Sequence, residues 1–260
     1  MPYGHEIPLG RAAASTSLPP ELKILLNEFA NNSWQFDATR IARMLSPTVI
    51  LPSELADTAY SLLKEESSEW PRGTEDSPFY KPLVDFLNSL LAAAHRALDL
   101  TDPPIIERDE RWYRGLRFVQ LGDGSCEAHG RDAGPIKREA VGGISFREGS
   151  VQTEFAIPVK LDEDWPAVVA QALRSAHILY SASQLRKFAL IIGFRRPTLE
   201  LRFLIVHRGG VTASKPLSVV EERGKKGILG IFLSLLMWRT EEDAGIMDYS
   251  SDGIRAAFAA

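Results

Sequence analysis

FALIIGFRRPTLELRFLIVHR, residues 188–208, is the stretch on which the fold turns. Two runs rich in β-branched and aromatic residues flank Arg195-Arg196-Pro197-Thr198, so the segment predicts two strands closed by a hairpin turn. Upstream, the periodicity predicts a helix from about Trp165 to Ala182, and before it the strand VQTEFAIPVKL. A helix between two strands makes a right-handed crossover, which predicts parallel pairing of the 150–161 strand with the 187–194 strand. Downstream, a helix over about 220–237 carries the apolar run GILGIFLSLLMW. That run falls short of the roughly 20 residues a membrane span needs, so it is a buried helix or a partner-binding one.

Further outward, residues 19–100 read as helical, because apolar residues recur three and four apart: Leu22, Leu25, Leu26 and Phe29, then Ile41, Met44 and Leu45, then Leu55, Ala59, Leu62 and Leu63. Asp37 or Asn32 is the candidate N-cap of one helix, and Ser53-Glu54 starts the next. Residues 77–100 give a longer helix stopped by Asp102-Pro103-Pro104. RWYRGLRFVQL then reads as a strand, residues 122–143 as a polar loop, and residues 144–146 as a short strand. The order helices, β, β, β, helix, β, β, helix predicts an α/β (α+β) core, a mixed sheet flanked by helices, with a helical N-terminal extension. The expected organisation is a lead-in over 1–18, the extension over 19–72, the core over 73–245 and a tail over 246–260.

With 45% hydrophobic and 25% charged residues the chain has the composition of an ordinary globular protein. Its net charge of -4 supplies no overall attraction to nucleic acid or to an anionic membrane. The single cysteine, Cys126, excludes an intramolecular disulfide, and a reducing, intracellular compartment, cytoplasmic or nuclear, is expected. The five histidines stand apart from one another without metal-ligand spacing. HGRD at 129–132 has no companion kinase motifs, and no G-x-S-x-G elbow occurs.

The chemistry that remains centres on Lys160. A metal-dependent nuclease needs an acid at the end of one strand, a second acid two residues before a lysine on the next, and often a helix glutamate; the acids hold a divalent cation that polarises the phosphate and activates water. Lys160 stands at the lysine position, but the acid position is Pro158, which has no ligand atom. Glu154 lies about 20 Å back from Lys160 along an extended strand. If the chain is a nuclease, the first acid is Asp132, with Glu139 second and Asp123 third, Glu75 or Asp76 is the helix carboxylate, and the cofactor is Mg²⁺ or Mn²⁺. Otherwise no cofactor is expected. Arg195, Arg196, Arg202, Arg208, Lys225 and Lys226 form basic clusters that contact phosphates if they converge, yet Glu200, Glu221 and Glu222 lie among them, which favours a solvated mixed surface.

The succession IPVKL, Trp165, QALRSAHILYSASQLRKF, ALIIGF, LELRFLIVHRGGVTASKPL and GILGIFLSLLMW resembles the N-terminal, nuclease-like part of the fungal-type protein kinase family. Gln171, Gln184, Arg186, Phe188, Arg208, Gly210 and Ser214 match the family pattern, and TEDSPFYKPLVDFLNSLL, residues 74–91, resembles the acidic and aromatic helix that opens the same region. The resemblance covers about residues 70–245. It implies a restriction-endonuclease-like core of the PD-(D/E)XK type. Pro158 departs from the glutamate that the family favours, and kinase motifs are absent, so the resemblance implies a catalytically silent scaffold used as a protein-interaction or regulatory module, with a protein partner or self-association expected, nucleic acid possible and no membrane.

Overall fold

Phe188–Arg195 and Glu200–His207 pair antiparallel along their whole length, from Phe188 opposite His207 to Arg195 opposite Glu200, and the rest of the molecule is arranged around this hairpin. The structure, a computed structural model, describes residues 20, 32–65, 80–106, 116–120, 126–129, 156–182, 186–240 and 242–245. Its elements are β1 (Ser33–Phe36), α1 (Ala38–Leu45), α2 (Leu55–Glu65), α3 (Tyr80–Asp99), β2 (Arg117–Gln120), β3 (Cys126–His129), β4 (Ala156–Asp162), α4 (Trp165–Ala182), β5 (Phe188–Arg195), β6 (Glu200–His207), β7 (Gly210–Ser214), β8 (Leu217–Ser218) and α5 (Glu222–Leu235).

The strands form one open mixed sheet in the order β1-β7-β6-β5-β4-β3-β2, with β8 continuing along β6 beside β7. The expected crossover is present: β4 and β5 are parallel, Val159 opposite Ile192 and Asp162 opposite Arg195, with α4 between them in the chain. β2, β3 and β4 form an antiparallel meander on one side. Pro158 sits within β4 opposite Glu127 of β3, and the ladder to β5 begins one residue later, at Val159. The missing proline N–H therefore falls where the parallel ladder has not yet started, which is how a central strand accommodates it.

Helices cover both faces, which explains why the interior positions of β5 and β6 are buried without alternation. On one face Leu190, Ile192, Phe194, Leu201, Phe203 and Ile205 meet α1, α2, α3 and α5. On the other, Ala189, Ile191, Leu204 and Val206 meet α4 through Val169, Leu173, Ala176 and Leu179. α5 occupies the centre of the larger core: Phe232 is 0% exposed, with Phe118 and Phe203 each 5.8 Å away by ring centroid. The Trp238 indole just beyond it donates to the Leu45 carbonyl at 2.6 Å. Of the two readings of GILGIFLSLLMW, the buried helix is the one realised.

Local signals account for several boundaries. Asp37 caps α1, accepting from the Arg40 N–H at 2.8 Å. Asp164 does the same for α4, accepting from Ala167 N–H at 2.7 Å, and Pro166 follows in the first turn where its missing donor costs nothing. At the other end, the Tyr180 hydroxyl lies 2.9 Å from the Val206 carbonyl and 3.1 Å from that of Lys187, tying α4 to the sheet.

Two expectations are corrected. The N-terminal part is not purely helical: Ser33–Phe36 is a strand paired in parallel with β7, Ser33 opposite Val211. Cys126 and His129, read as loop residues, lie in β3, whose pairing to β2 and β4 overrides a local sequence that favours a loop. Residues 21–31 and 66–72 of the expected helical extension, the 144–146 strand, the first part of the 150–161 strand and the 246–260 tail lie outside the described residues.

Candidate functional site

In a strand, every second residue faces the same way. Gly193 of β5 faces α4, because a Cβ there would collide with the Val168 side chain and come within 3.5 Å of the Trp165 ring. Its lateral partners share that face: Lys160 on β4 and Arg202 on β6. One step toward the strand ends, a second row follows, formed by Asp162, Arg195 and Glu200. The α4 face is thus apolar over its middle and becomes charged at the carboxyl end of the β4–β5 pair, the position where open α/β sheets bind ligands.

These groups are tightly organised. The Asp162 carboxylate accepts from Gln171 Nε2 at 2.8 Å and from the Glu163 N–H at 2.7 Å. Arg195 Nε donates to the Glu163 carbonyl at 3.1 Å, and Arg196 lies 3.5 Å from the Glu163 carboxylate. Arg202 is the anomaly. Only 6% exposed, its guanidinium lies 4.4 Å from the centre of the Trp165 ring, and its Nε–H has no acceptor. Burial pulls its pKa down to about 10, with Glu200 opposing and Arg195 reinforcing the effect, which still leaves it charged at neutral pH.

The residues singled out in the sequence fare differently. Lys160 sits on the α4 face, partly buried, with Arg195 one row away. Asp132, Glu139, Asp123, Glu75, Asp76 and Glu154 lie outside the described residues. The basic clusters separate into groups with different partners: Arg195 and Arg196 engage Glu163, whereas Lys226 pairs with Asp57 at 2.6 Å and Glu222 at 2.8 Å on the α2–α5 side. Those hydrogen bonds to Asp57 and Glu222 raise the Lys226 pKa. Sequence reasoning passed over Asp162 and Trp165 as site residues; their one signal is the spacing, since Asp162 repeats the facing of Lys160 two residues on. Among the described residues no group of three or more His, Cys, Asp or Glu could hold a metal ion, and no helix is long and apolar enough to cross a membrane.

A concavity of about 640 Å³ opens between α1, the 46–53 connection and α5. Gly230 lines it, with nothing within 4 Å of where its side chain would be, and Ile50, 92% exposed, stands at its edge. No family model, curated protein or solved structure matches the chain.

Proposed function

We propose that this chain is a catalytically silent, nuclease-like scaffold that acts as a protein-interaction or regulatory module, akin to the region that precedes fungal-type kinase domains. The observation that carries the reading is Pro158: the strand that presents Lys160 beside a parallel neighbour has, at the position a metal-binding carboxylate would take, a residue with no ligand atom. The antiparallel meander followed by a helical crossover supports a restriction-endonuclease-like core. With α5 buried, the surface that this reading leaves to a protein partner or a second copy is that of α1 and α2.

The alternative is a divergent Mg²⁺- or Mn²⁺-dependent nuclease or nucleic-acid binder with relocated acids. Asp162, on the same strand and facing as Lys160, favours it. One experiment separates the two. Mg²⁺ and Mn²⁺ are titrated into the purified chain during thermal unfolding, with single- and double-stranded DNA and RNA assayed for cleavage in parallel. The scaffold reading expects no metal-dependent stabilisation and no cleavage, together with self-association or partner binding at micromolar concentration. Metal-dependent cleavage lost in Lys160→Ala overturns it.

A further inference from the structure

Arg202 is a cation placed where a protein pays to keep one. Its Nε–H is sealed from solvent without an acceptor, and among the described residues no carboxylate reaches ion-pair distance. Guanidinium cannot escape by releasing its proton at neutral pH, and the contact with the Trp165 ring does not replace the hydrogen bond that the sealed Nε–H lacks. Neighbouring cations are engaged differently: Arg195 and Arg196 are both satisfied by Glu163.

From this geometry we propose that Arg202 anchors a binding site for a carboxylate-bearing ligand at the carboxyl end of the β4–β5 pair, with the partly exposed Trp165 ring forming the wall against which the apolar part of the ligand rests. The position is the one that open α/β sheets use for ligands. Charge selects the class. Asp162, Glu163 and Glu200 fringe Lys160, Arg195, Arg196 and Arg202, so the locality has no large positive surplus to hold a phosphate dianion. A planar monoanion matches the flat guanidinium and places one negative charge on a cation whose Nε–H has no acceptor among the described residues. The site stands independently of the scaffold reading, since it requires neither a metal nor Lys160.

The test is thermal unfolding of the full chain with benzoate, acetate and a short glutamate-containing peptide of zero net charge, each against chloride at matched ionic strength, with inorganic phosphate and a single-stranded oligonucleotide as the contrasting class. A saturable rise in Tm is expected with carboxylates, larger for benzoate than for acetate, and it disappears in Arg202→Met. A response to benzoate assigns a small organic acid as the source, and a response to the peptide alone assigns a protein side chain. Without ligand, Arg202→Met is expected to unfold no lower than the native chain, because a buried donor without an acceptor has been replaced by an apolar side chain of similar volume. If Arg202→Met does not fold, Arg202→Lys retains the charge without the fork, and apparent carboxylate affinity must drop about tenfold. Absence of any saturable carboxylate effect, an effect unchanged in the Arg202 variants, or a larger response to phosphate or the oligonucleotide overturns the assignment.

Discussion

The two faces of the sheet are built on different terms. Against α1, α2, α3 and α5 the strands present Leu190, Ile192, Phe194, Leu201, Phe203 and Ile205, a continuous apolar surface with Phe232 at its centre. Against α4 the same strands present small and aliphatic residues for part of their length, then Lys160, Asp162, Arg195, Glu200 and Arg202. The first face accounts for why the chain folds. The second gives up apolar burial for charge at one end, and sites that forgo stability in this way are where function is concentrated.

Variants on the two faces should therefore differ in kind. Phe232→Ala, which empties the centre of the larger core, is expected to cost about 3–5 kcal/mol in denaturant unfolding; a cost below about 1 kcal/mol would show that the faces are not unequal. Gly193→Ala is expected to cost about 1–3 kcal/mol, because the added methyl collides with the Val168 side chain, which must shift to admit it. Asp162→Ala removes the acceptor of Gln171 and of the Glu163 N–H, with an expected loss of about 1–2 kcal/mol and loosening confined to the start of α4, read by hydrogen exchange. Ile50→Ser, at an exposed edge away from both faces, is expected to stay within about 0.5 kcal/mol of the native chain.

A pH series adds a control at the far end of β6. Burial holds the His207 pKa below its ordinary value, Gly209 N–H donates to its Nδ1 at 3.2 Å, and its ring stacks on Trp34. The unfolded chain therefore takes up the proton first, and stability falls as pH drops below about 6.5. His207→Asn should flatten that slope while leaving the carboxylate response at Arg202 unchanged.

Much of this contrast was readable in the residues. The 188–208 hairpin, the crossover helix and its parallel strands carry strong local signals, and α4 spans Trp165–Ala182 as its periodicity predicts. β1 and β3 were not readable, since Ser33–Phe36 and Cys126–His129 are short and extended by virtue of distant partners rather than their own composition. The site was legible in pieces. Lys160, Arg195 and Arg196 stood out as charges, but whether Arg202 was a solvated arginine or a buried one depended on Gly193 and Trp165 lying beside it, and lateral register across three strands is not a local property.

The hydrogen bond from Trp238 to Leu45 spans 193 positions of sequence. On a ribosome the chain emerges from its N-terminus, so β1 and α1 leave the exit tunnel long before β7 and the α5–Trp238 segment that they pack against exist. Of the described strands, β1 is the first to be made and among the last to find its partner. Until then its edge is unpaired, and partners so far apart in sequence meet only late in synthesis.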